Sequence, residues 1–312
     1  MSVAKGDDGG FPSEQQFLDM QAGMKVTEAA ADDKRVAVAH EEKGTPREHV
    51  VAVLALSAPI IASSVLSFSM VLVDFAMVGH LGKIELGGAA LATTWFNLVN
   101  HPIIGAATGL DTLFAQSFGA DQKARYGDWL VAGVCLLGVL CIPCVVVLSV
   151  AEPCLVAMGQ NPKLSKLAGG YCLRLIPGLP AHYGFVVLTK YLQAQGILAP
   201  SVWVGLAANL ANAALNYGLI YGLGMGFYGA PIATTALRWV QLGLLGLYLR
   251  RYFASHAETW PRSVFGSAKD SSQLRRDLLA LKKLALPGAY MLALEAWAFE
   301  VGPLSLKNKS RH

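Results

Sequence analysis

Charge is the first thing this chain is short of. Asp, Glu, Lys and Arg make up 15% of its 312 residues, against 54% hydrophobic residues. Soluble domains carry about a quarter charged residues, so the shortage excludes an ordinary water-soluble globule and points into a bilayer. A positive surplus is missing too. The formal net charge is only +4, and the basic residues sit in loops between apolar runs rather than in one patch, which argues against a nucleic-acid partner. Cysteine is sparse, with five residues, all in or beside apolar runs. Cys141 and Cys144 form a C-x-x-C, but inside the membrane-length run 131–150, where a thioredoxin-like turn has no place. Small packing residues is the better reading. Catalytic signatures are missing as well: there is no G-x-S-x-G, no H-E-x-x-H and no G-x-x-x-x-G-K-[ST], and His80, His101 and His182 stand apart. These absences weigh against an enzyme and against a resident metal or cofactor.

What the sequence does hold is a succession of long apolar runs. A hydrocarbon core about 30 Å thick takes about 20 apolar residues of helix. Runs of this kind cover 50–78, 86–110, 130–151, 167–192, 201–223 and 229–252, and a seventh begins near 284. They are continuous rather than alternating, which predicts helices and not barrel strands. Residues 1–48 have no apolar run and read as a disordered cytosolic tail.

Loop charges give the orientation. Lys34, Arg35, Lys43, Arg47, Lys123, Arg125, Lys190, Arg250, Arg251 and the basic residues of 262–283 would share one side, with only Lys83, Lys163 and Lys166 on the other before the last run; the three basic residues after it break the pattern. The positive-inside rule then places the N-terminus in the cytosol. Four segments follow: the tail (1–48), a six-helix lobe (49–253), an amphipathic cytosolic linker (254–283), and a seventh helix that looks cut short, with a divergent end (284–312). The expected class is an all-α integral membrane protein.

Polar side chains at membrane depth cost at least ~2.5–3.5 kcal/mol when charged, and persist where they pair, titrate or line a cavity. Asp74, toward the outer end of the first run, suits an interfacial cap or a cavity wall equally. Asp111, near the inner end of the second, reads better as a helix cap. Asn209, Asn212 and Asn216 are spaced i, i+3, i+7, which puts three amides on one helical face. That face serves either interhelical hydrogen bonds or a wet cavity. Gln116 and Gln195 add amides near the inner ends. Glu295 falls about 12 Å beyond Pro287, mid-membrane, where a carboxyl can carry a proton or attract an organic cation. Glu300 lies about 140° further round the same helix. Gly105-x-x-x-Gly109 and the glycines at 218, 222 and 226 offer close helix contacts, and prolines at 59, 102, 143, 177, 180 and 287 interrupt the runs.

Six stretches, "VDFAMVGHLGKIELGGAALA", "GLDTLFAQSFGA", "LAGGYCLRLIPGLP", "YLQAQG", "GFYGAPIAT" and "LALPGAYMLALEAWAFEVG", resemble eukaryotic-type multidrug and toxic compound extrusion (MATE) transporters. The resemblance runs in family order over about residues 50–302. It implies two six-helix lobes around a central cavity, of which this chain holds the amino-terminal lobe and part of the seventh helix. It implies export of organic cations or other amphipathic compounds in exchange for H⁺ or Na⁺, from a plasma or vacuolar membrane. The family's seventh-helix acid falls on Glu295 and a second on Glu300. Its first-helix aspartate falls on Asp74, and its fifth-helix polar pair on Asn212 and Asn216. Asn209, Gln195, Gln116 and Asp111 would be further cavity-lining candidates. Ala296 stands where Trp is common and Ala115 where Gly is usual. The chain ends inside the seventh helix, so half a pathway is expected, completed by self-association or by a full-length relative. Three other readings stay open: a truncated, non-transporting interaction partner, a seven-helix receptor, and a lipid-linked sugar flippase. The receptor needs an external N-terminus. The flippase wants a basic cavity, and only Arg174 and Arg238 lie at membrane depth.

Overall fold

The computed structural model describes residues 46–252, 258–261 and 268–309, and everything regular among them is helical. The chain divides into two units, Met1–Ala58 and Pro59–His312. The described part of the first is the opening of helix α1; the rest of the tail lies outside the described residues. The second unit holds the bundle.

Among the described residues nine α-helices follow in order: α1 (Pro46–Gly79), α2 (Lys83–Gly119), α3 (Lys123–Ser149), α4 (Ala151–Ala157), α5 (Pro162–Leu175), α6 (Leu179–Gln193), α7 (Ala199–Tyr217), α8 (Gly229–Arg251) and α9 (Ala268–Lys309). Within the described residues three helical stretches, Ile61–Gly79, Lys123–Ser149 and Gly226–Arg251, are each long and apolar enough to cross a bilayer. Their outer faces fit that solvent: on α1, Ile61, Val65, Phe68 and Leu72 recur at helical spacing and are all exposed.

The fourth apolar run, expected as one span, is split. Pro177 and Pro180 remove amide donors within four residues, and the chain passes through a 3₁₀ turn at Ile176–Gly178 between α5 and α6. Asn161 starts α5 by accepting a hydrogen bond from the Lys163 amide at 2.9 Å, with Pro162 in the first turn where no donor is needed. Gly196 (φ 74°) closes α6, which lets Ile197 N–H reach back to the Leu192 carbonyl. After α7 the helix widens into a π turn, Gly218–Gly222, whose Gly218 carbonyl accepts from Leu223 N–H, five residues on.

The segment expected to be a linker up to residue 283 is helical from Ala268, and that helix continues unbroken through the run expected as the seventh span. Its start is tied to the bundle by polar contacts. Arg125 reaches the buried Asp277 at 3.0 Å, Tyr191 Oη and Thr259 Oγ1 lie 2.6 Å apart, and the Gly127 backbone packs against Trp260 and Pro261. The Lys123 ammonium, 2.7 Å from Glu258, holds that carboxyl below its ordinary range.

At the centre sits α2, packed by α3, α5 and α9. Its contact with α9 is a backbone-to-backbone crossing. A Cβ on Gly288 would meet Gly105's carbonyl oxygen at 2.5 Å, and one on Gly109 would lie 3.0 Å from the Ala285 amide nitrogen. Glycine at both faces is what lets the helices approach so closely. Trp297 adds a hydrogen bond from its indole N–H to the Leu98 carbonyl at 3.0 Å.

Candidate functional site

Three helices converge on one buried carboxylate. Asp74, five residues before the end of α1, is 7% exposed. Its Oδ1 accepts from Asn216 Nδ2 at 2.7 Å and from Asn212 Nδ2 at 3.1 Å, both on α7. Its Oδ2 accepts from Thr234 Oγ1 on α8 at 2.9 Å. A carboxylate removed from water is tolerated only when its lone pairs are met in this way. The local sequence explains the placement. Asn212 and Asn216 are one turn apart and face α1 together, and Thr234 lies one turn into α8 with its hydroxyl also within 3.2 Å of the Ala230 carbonyl.

The donors are not the whole site. Asn212 and Asn216 are fully buried, and their side-chain carbonyl oxygens have no hydrogen-bond partner among the described residues. Two unpartnered amide oxygens therefore belong to the very side chains whose amide N–H groups meet the carboxylate, with the Thr234 hydroxyl on its other oxygen. Such a set can carry a proton on the carboxyl or surround a small hard cation. Among the described residues no cluster of His, Cys, Asp and Glu suits a resident metal. One turn beyond Thr234, Arg238 is buried with its guanidinium 4.8 Å above the Phe96 ring.

The other candidate residues lie elsewhere. Asn209 shares the α7 face but donates to the Leu66 carbonyl of α1 (2.9 Å) and to Gly205 (3.0 Å), not to Asp74. Asp111 is exposed and paired with Lys190 at the end of α2. Gln195 bonds the Tyr191 carbonyl and accepts from Thr259, holding the 258–261 segment to the end of α6. Gln116 is exposed near the end of α2. Glu295 is exposed on α9 and, among the described residues, forms no hydrogen bond or ion pair; the side chain of Glu300 lies outside the described ones. Arg174 stacks 3.7 Å over Tyr228 and bonds the Gly170 carbonyl. The five cysteines are free.

The residue that sequence reasoning missed is Thr234. A threonine in an apolar helix ordinarily satisfies itself on a carbonyl one turn back, whereas the Thr234 hydroxyl lies nearer to Asp74 than to the Ala230 carbonyl, and no spacing rule links it to positions on α1 and α7.

The comparisons with known proteins agree on the scaffold. A family model, MatE, matches residues 59–218. Multidrug and toxin extrusion protein 1 of Xenopus tropicalis is 37% identical over 251 residues, covering 80% of this chain and 42% of that protein. Multidrug and toxin extrusion protein 2 of Mus musculus is 34% identical over 257 residues, covering 82% and 44%. The crystal structure of the eukaryotic MATE transporter AtDTX14 superposes with a TM-score of 0.76 at 26% identity, over 82% of this chain and 56% of that one. This chain spans less than half the length of these two curated relatives.

Proposed function

This chain belongs to the MatE family, and from that premise we propose that it is the ion-carrying half of a secondary antiporter exporting organic cations in exchange for protons. Like the family, it is an integral multi-pass membrane protein. One observation carries the proposal: a single acidic side chain, Asp74, is buried between three helices and joined by hydrogen bonds to two of them.

The mechanism follows from what charge does to those bonds. With Asp74 ionised, charge-assisted bonds from Asn212, Asn216 and Thr234 hold α1, α7 and α8 together. A proton on Asp74 removes the charge and weakens all three donors at once, which loosens the three helices relative to one another. Ion loading is thereby tied to a change in shape, as exchange requires. Glu295, exposed on α9, is assigned to the substrate side, where a carboxylate attracts an organic cation. A second copy of the chain, or a full-length relative, would supply the opposing wall of the cavity. The proposal includes a cytosolic N-terminus, which the loop charges support, and a plasma or vacuolar membrane.

Sodium is a second reading, favoured by the unpartnered Asn212 and Asn216 oxygens beside the carboxylate. The test is efflux of a fluorescent organic cation from vesicles holding the chain, driven separately by a proton and a sodium gradient. Efflux is expected with the unmodified protein and lost in Asp74→Asn. An unmodified chain that moves nothing, or an Asp74→Asn variant that transports normally, overturns the proposal.

A further inference from the structure

A polar space lies in the same bundle, on the opposite side of Asn209 from Asp74. It has a volume of about 190 Å³, and the residues that line it are uncharged. Ser63 and Ser67 of α1, Thr189 and Gln193 of α6, Ser201 of α7 and Gln241 of α8 provide its polar wall. Several of these groups lack protein partners. Thr189 Oγ1 is buried with none, and among the described residues neither Gln193 nor Gln241 bonds its side-chain amide. The hydroxyls of Ser67 and Ser201 donate to carbonyls of their own chain neighbourhood, Ser63 and Leu198, which leaves their lone pairs turned outward as acceptors. Unmet amides and hydroxyls at membrane depth are strongly disfavoured against hydrocarbon. Water meets that need and a lipid tail does not. At ~30 Å³ per molecule the space holds roughly six waters.

Its position gives the water a task. On α1, Ser63, Ser67, Met70 and Asp74 fall within an arc of roughly 60°; on α7, Ser201, Gly205, Asn209, Asn212 and Asn216 fall within roughly 80°. The two helices run in parallel here, because Asn209 bonds at the level of Leu66 while Asn216 bonds at Asp74. Two polar stripes thus face each other from the cavity up to the carboxylate. Ser67 stands about 10 Å below Asp74 along the helix. Between them Asn209 bridges the helices through the Leu66 and Gly205 carbonyls. The cavity itself lies at the end of the bundle that carries Lys123, Arg125 and Lys190.

We infer that this space is an aqueous vestibule through which Asp74 exchanges its coupling ion, with hydronium or a hydrated monovalent cation as the occupant, with the Lys190 side of the membrane. Asn209 is the constriction between vestibule and site. The inference rests on Asp74 being the ion-carrying group, but its test does not depend on transport.

The full chain would be reconstituted with its five native cysteines replaced, carrying a single new thiol. A small, membrane-impermeant, cationic thiol reagent would be added from one side at a time. Ser67→Cys is expected to react from the Lys190 side at least tenfold faster than Leu72→Cys, which is on the exposed apolar face of the same helix. Thr234→Cys, beside Asp74, is expected to react from that side too, and Ser67→Phe, which fills the vestibule, to slow it at least tenfold. Equal rates for Ser67→Cys and Leu72→Cys mean a lipid-filled groove and overturn the vestibule. Reaction of Thr234→Cys from the opposite side alone, or at a rate indifferent to Ser67→Phe, overturns the route. Loss or retention of efflux in Asp74→Asn separately decides the role of the carboxylate.

Discussion

Placing a methyl group at Gly105 tests the close crossing of α2 and α9 at its tightest point. A Cβ there would stand 2.8 Å from Ala289 Cα and closer still to the Gly288 carbonyl oxygen. Ordinary contact begins at 3.4 Å, so the two helices must separate by roughly 1 Å, and the opposing atoms are backbone that no rotamer change can move. Overpacking of that kind costs about 1–3 kcal/mol. Gly109→Ala meets the Ala285 amide nitrogen at 3.0 Å and Leu284 Cβ at 3.2 Å, so a few tenths of an ångström relieve it and its cost is smaller. Gly243→Ala has nothing within 4 Å and is expected to be neutral or stabilising through helix propensity. Unfolding by SDS titration, followed by tryptophan fluorescence and far-ultraviolet circular dichroism, gives the three values on one scale. Gly105→Ala indistinguishable from Gly243→Ala would refute the reasoning, because it would mean that α9 does not dock on α2 through glycine.

Two further outcomes are expected on the same scale. Asn216→Leu should cost more than Asn209→Leu, about 1.5–3 against 0.5–1.5 kcal/mol, since the first strips a donor from a buried carboxylate and the second from neutral carbonyls. Arg125→Ala should loosen the start of α9 by about 1–3 kcal/mol, discounted for the 31% exposure of Arg125, because it leaves Asp277, 4% exposed, without its cation; faster trypsin cleavage in residues 262–283 with unchanged cleavage elsewhere would report it, and an unchanged pattern would count against the tie.

The helical class was legible because apolar runs of membrane length have few other readings. Asp74, Asn212 and Asn216 were legible as costly polar groups, and the i, i+3, i+7 spacing put three amides on one face. That face alone could not separate Asn209 from the other two, because the partner of each is set by how far up α1 its neighbour stands. Gly105 and Gly109 were visible as a small-residue pair, whereas their partners around Gly288 became visible only with the crossing itself. The split of the fourth run was written in Pro177 and Pro180, but two prolines spaced three apart fit a kink as well as a break. The start of α9 at Ala268 was hidden by its composition: a polar, amphipathic stretch looks like a surface linker when its apolar continuation is counted separately.

The π turn at Gly218–Gly222 has a bearing on descent as well as geometry. A helix that switches from i→i+4 to i→i+5 bonding absorbs one residue without rotating what precedes it. Gain or loss of a single codon beyond Asn216 would therefore change the loop toward α8 while Asn212 and Asn216 kept their registration on Asp74. The turn works as a hereditary slip joint: related chains can vary the length of that loop without passing through ancestors whose buried carboxylate had lost its donors.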